Sequence, residues 1–65
     1  MKPSCKLIGE NGNVFNLIGI VRATLRQNDL GKELAQFNAE LEHLQLNGGS
    51  YDNVVVLIMK HVNVV

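Results

Sequence analysis

Residues 51 to 61 read YDNVVVLIMKH, and whether this stretch is strand or helix decides the architecture. By composition, Val54-Val55-Val56-Leu57-Ile58-Met59 is a β-branched, apolar run with the make-up of a buried strand. Its position points the other way. Ser50 or Asp52 can cap a helix, and Val54, Leu57, Ile58, His61 and Val62 share one face at helical spacing. We therefore expect a helix from about Tyr51 to His61, with Val62-Asn63-Val64-Val65 following as a short terminal strand.

Upstream, Leu30, Leu34, Phe37, Leu41 and Leu44 recur at offsets 0, 4, 7, 11 and 14, with Glu33, Glu40 and Glu42 off that stripe. This spacing predicts a helix, with Asp29 as its cap and Asn47-Gly48 as its stop. Before it, Val14, Ile18, Val21 and Leu25 fall at offsets 0, 4, 7 and 11, flanked by Leu17. They predict a helix from about Asn16 to Asn28, capped by Asn16, with Arg22 and Arg26 on a different face. Gly19 weakens such a helix by roughly 1 kcal/mol relative to Ala, which suggests a place where another backbone comes close.

Cys5-Lys6-Leu7-Ile8 has the composition of a short strand, and GENGNVF (9–15) follows it. Asn-Gly is the preferred pair for a two-residue type I′ turn, so Asn11-Gly12 predicts a hairpin with Leu7-Ile8 opposite Val14-Phe15 and Gly12 at positive φ. A phosphate-binding loop is the poorer reading. Glu10 would repel the anion, and neither a Lys-Ser/Thr pair nor a βαβ context follows. The expected fold is α+β, one domain spanning 1–65: a short N-terminal β-hairpin, three helices, and a C-terminal strand returning to the hairpin.

Sixty-five residues bury only ~60% of their unfolded surface, so the margin of stability is thin. Six basic and six acidic residues cancel, and the basic ones are dispersed, which argues against nucleic acid as the default partner. Cys5 is the sole cysteine, so no intrachain disulfide forms and the reducing cytoplasm is favoured. Cys5 is expected to face the core rather than to act as a reactive thiol. The start lacks the apolar region of a signal peptide, and no apolar stretch approaches the ~20 residues of a membrane span.

The start and the last helix together resemble a group of very small, uncharacterised bacterial and phage-type proteins. Their pattern is Lys-Leu-x-Gly, an acidic residue, Gly-Asn and an aromatic, matched by Lys6-Leu7-Ile8-Gly9-Glu10-Asn11-Gly12-Asn13-Val14-Phe15. Later they carry a Tyr-Asp pair opening an apolar helix that ends in Val-x-Val, matched by Tyr51-Asp52 and Val62-Asn63-Val64. The chain departs by placing Asn11 before Gly12, where Asp-Gly-Asn is common, and Ser50 before Tyr51, where an acidic residue is common. The resemblance implies a helix for the last segment. It carries over no catalytic residue.

Chemistry finds little purchase. His43, His61, Cys5 and Asp52 lack the paired spacing of a zinc site, with His43 expected on a solvent face and His61 at a helix end. Ser4, Ser50, Thr24 and Cys5 carry no nucleophile motif, so neither an enzyme nor a cofactor is expected. Tyr51-Asp52 reads either as an interaction site, with Tyr51 as its anchor, or as Tyr51 packing on the hairpin and Asp52 capping the helix. A helix apolar all round, as 54–59 would be, needs burial all round. The expectation is a small protein-interaction module, of mobile-element type, that forms a homodimer through Val55, Val56 or Met59. The alternative is a nucleic-acid-associated accessory protein using Arg22 and Arg26.

Overall fold

The computed structural model describes residues 2–65, which form β1 (Ser4–Cys5), α1 (Val14–Gln27), α2 (Gly31–Leu46), α3 (Tyr51–His61) and β2 (Asn63–Val64). This is a small α+β fold. The helices pack on one another, and the two strands form one parallel pair in the register Ser4↔Asn63 and Cys5↔Val64.

The decisive stretch is a helix because its start is locked. Ser50 is in extended backbone, and its hydroxyl accepts from the Asn53 amide at 3.3 Å. The Asn53 side-chain oxygen accepts from the Ser50 amide at 2.9 Å, so two orphan donors are satisfied reciprocally. Ser50 therefore does the capping, and Asp52 sits in the first turn, where its charge suits the helix dipole. Burial of Val54, Leu57, Ile58 and His61 on one face outweighs the few tenths of a kcal/mol that each β-branched residue costs a helix. Val62 leaves the helix in extended backbone, itself buried, and leads into β2.

The expected N-terminal hairpin is absent, because asparagine side chains turn the chain into a helix instead. Asn11 Oδ1 accepts from the Asn13 amide at 2.9 Å, and Asn13 Oδ1 accepts from the Phe15 amide at 2.9 Å. Asn13, not Asn16, thus caps α1, and Val14-Phe15 becomes its first turn. Asn16 braces the same loop by donating to the Asn11 carbonyl at 2.8 Å. The positive φ of the loop belongs to Gly9, at +88°, and not to Gly12. The strand read at Cys5–Ile8 is confined to Ser4–Cys5, and the Leu7 and Ile8 amides both donate to the Val65 carbonyl oxygen, at 2.9 and 3.1 Å. The terminal strand does return to the N-terminal one, as a parallel partner.

Between α1 and α2, Asp29 adopts φ +56° and closes α1 instead of capping α2. The Leu30 amide reaches the Leu25 carbonyl at 3.0 Å and the Asp29 amide reaches that of Arg26 at 3.2 Å, the paired bonds of a left-handed helix stop. Leu30 is left as the α2 N-cap with no side-chain hydrogen bond. At the far end α2 stops where expected, with Asn47 as C-cap and Gly48 at φ +73°. Gly49 follows with its amide 2.7 Å from the Leu44 carbonyl oxygen.

The core joins Cys5 to Leu17, Ile18, Val21 and Leu25 of α1, Phe37 and Leu41 of α2, and Val54, Leu57, Ile58 and Val62. Gly19 does not mark a close approach: a β-carbon there would meet nothing within 4 Å. The Cα envelope measures 29 × 28 × 16 Å. On the outward side of α3, Val56 and Met59 stay exposed. No helix among the described residues is long and apolar enough to cross a membrane.

Candidate functional site

The outward side of α3 carries Asp52, Val55, Val56 and Met59, opposite the buried Val54, Leu57, Ile58 and His61. Val56 is 66% exposed and Met59 54%, while Val55 is half-buried. Tyr51 is also half-exposed, but its hydroxyl donates to the Gly12 carbonyl oxygen at 2.7 Å, which pins the N-terminal loop to the start of α3. Tyr51 therefore packs against the N-terminal segment while about half of it stays exposed.

Two open grooves flank α3. One, of about 460 Å³, runs between α3 and the N-terminal loop over Leu7, Leu17, Val55, Ile58 and Val64, with Ile8 and Met59 at its lip. Ile8 is 70% exposed and extends the apolar strip beyond the helix. The other, of about 480 Å³, lies between α2 and α3 over Ala39, Leu44, Val56 and Leu57, and Glu40, His43 and Lys60 give it a polar rim.

Beneath that rim is the one buried polar side chain among the described residues. His61 is 1% exposed, with Nδ1 2.6 Å from Glu33 Oε2 and Nε2 2.8 Å from Glu40 Oε1. Carboxylates only accept, so a ring nitrogen that carries a hydrogen donates to the carboxylate it faces. Phe37 meets the ring edge-on, with centroids 5.5 Å apart. Lys60 Nζ closes the cluster at 2.5 Å from Glu40 Oε2. The hydrogen bond from Lys60, and after it that from His61, holds the Glu40 carboxyl below its usual value of 4.5. Lys60 and His61 thus clamp α3 to Glu33 and Glu40 of α2, and His61 does more than end a helix. The signal for it was the seven-residue interval from Glu33 to Glu40, which sets both on one helix face.

Other chemistry-bearing residues are dispersed or already engaged. Cys5 is buried, with the Thr24 hydroxyl 3.3 Å from its sulfur, and that hydroxyl also donates to the Ile20 carbonyl oxygen at 2.9 Å. His43 is exposed on α2 beside Asn47. Among the described residues no group of three or more His, Cys, Asp or Glu side chains, the bonded His61, Glu33 and Glu40 included, is placed to hold a metal ion. Arg22 is half-buried, its Nε donating to Asn38 Oδ1 of α2 at 2.8 Å, while Arg26 is exposed in the last turn of α1. Neither a family model, nor a curated protein, nor a solved structure matches this chain.

Proposed function

We propose that this protein is a non-enzymatic interaction module whose working surface is the outward face of α3 with the apolar groove beside it. One observation carries the reading: Ile8, Tyr51, Val55 and Met59 line one apolar groove, and Val56 stands exposed beside them on α3. Surfaces of this kind mark contact sites more often than accidents of composition. The absence of chemistry is supported by what the hydroxyls and the thiol do. Ser50 caps α3, Thr24 braces α1, and Cys5 packs in the core. The single buried thiol suits a cytoplasmic location. A mobile-element origin rests on the sequence resemblance alone. The nucleic-acid alternative draws less support, because Arg22 is engaged with Asn38.

The test is affinity capture from an extract of the native host, with the wild type, Val56→Lys and Lys32→Glu as baits. Binding that Val56→Lys abolishes and Lys32→Glu preserves supports the reading. Capture indifferent to Val56 ends it.

A further inference from the structure

We propose that the occupant of the α3 face is a second copy of the chain, docked antiparallel about a two-fold axis between Val55 and Val56. The proposal rests on the reading of that face as an interaction surface and names its partner. Asp52, Val55, Val56 and Met59 stand at offsets 0, 3, 4 and 7, the spacing of a single helix–helix seam. A two-fold axis through the middle of that set opposes Val55 to the partner's Val56, and Asp52 to the partner's Met59. The arrangement is self-complementary in shape class, as an isologous contact must be.

Charge favours the antiparallel sense. Asp52 lies in the first turn of α3, and the ion pairs among the described residues are those of the Glu33–Glu40–Lys60–His61 cluster, which do not include it. At the other end of the helix, Lys2 Nζ is held 3.0 Å from the Met59 carbonyl oxygen, a cation fixed where the helix runs out. Helical side chains lean toward their own N-terminus. In the antiparallel pair that lean carries each Asp52 toward the partner's Lys2, twice per dimer. A parallel pair would instead set like charge beside like charge, Asp52 by Asp52 and Lys2 by Lys2. The formal net charge of zero leaves no long-range repulsion between two copies. A standard interface takes ~800 Å² from each partner, nearly a fifth of the 4331 Å² this chain exposes. The four seam residues are too few for that alone. Ile8 and Tyr51 border the same groove and extend the contact, and the expected affinity is micromolar.

Sedimentation equilibrium from ~1 to ~100 μM reads the outcome, since a micromolar dimer is nearly complete at the upper end. The wild type should dimerise, and Val56→Lys should be monomeric, with the melting temperature of wild type diluted below its dissociation constant. Asp52→Lys and Lys2→Asp should each weaken self-association by about tenfold, because each sets two like-charge pairs across the seam. Mixed in equal amounts, these two variants should recover a heterodimer near wild-type affinity, which also shows that both are folded. A dimer untouched by Val56→Lys, or charge variants that fail to rescue each other, would overturn the proposal. A wild type monomeric at ~100 μM that still captures a host protein through Val56 overturns it too, while leaving the interaction-surface reading intact. Loss of both ends both.

Discussion

Glycines that look alike in sequence are held for different reasons. Gly19 lies exposed inside α1 with open space where its β-carbon would go. Gly19→Ala should therefore stabilise the fold by about 1 kcal/mol, read as a higher melting temperature. Gly49 is the opposite case: its β-carbon would come within 3.0 Å of both the Leu44 carbonyl oxygen and the Leu44 β-carbon. Gly49→Ala should lower the melting temperature, since a backbone atom cannot step aside as a flexible side chain can. If the two alanines shifted the melt in the same direction, the local geometry would be in error. Gly12 needs no such protection, because its φ lies outside the left-handed region and a β-carbon would sit at an ordinary 3.7 Å from the Tyr51 hydroxyl.

At the scale of elements, α3 depends on its cap and its clamp. Ser50→Ala removes one side of the reciprocal capping bonds and should cost about 1 kcal/mol. It should also loosen amide protection in the first turn of α3 before any other region in hydrogen exchange. Helical Cα shifts across Val54 to Met59 are the companion expectation, and extended shifts there would contradict it. The clamp makes stability depend on pH through Glu40. Its folded-state pKa lies below its unfolded value, so the stability it contributes is complete above the ordinary carboxylate range. That part is lost as pH falls from about 4.5 through the lowered value. Glu40→Gln should be less stable than wild type near neutrality, and the gap should narrow as pH falls below 4.5 through the lowered value. A gap that stayed constant as pH falls below 4.5 would show that the Lys60 and His61 contacts do not form in solution.

For the whole molecule, closure of the chain matters most. The Asn63 amide donates to the Pro3 carbonyl oxygen and the Val65 amide to that of Cys5, both at 2.9 Å, so the two ends are tied by backbone alone. Asn63→Pro removes one of these donors and should lower the melting temperature, by on the order of 1–3 kcal/mol of stability. In a domain of this length total stability is only roughly 3–10 kcal/mol, so the loss should be visible in a simple melt. The body is also thin, and Val56 and Met59 remain exposed on it.

The sequence by itself determined the three helices and the faces they bury, because those signals are local. The 0, 4, 7, 11 spacings of α1 and α2, the Asn47-Gly48 stop, and the Ser50 cap that overrides the β-rich composition of 54–59 all act within a few residues. Tertiary structure decided the rest. Asn11-Gly12 is equally a hairpin turn in isolation, but the Tyr51–Gly12 bond, which reaches across 39 residues, holds the loop to the start of α3. The parallel pairing of the termini and the burial of His61 between Glu33 and Glu40 likewise join groups far apart in the chain. Such contacts exist only after α3 has packed on α2, and no short-range pattern encodes which distant carboxylates a histidine will meet.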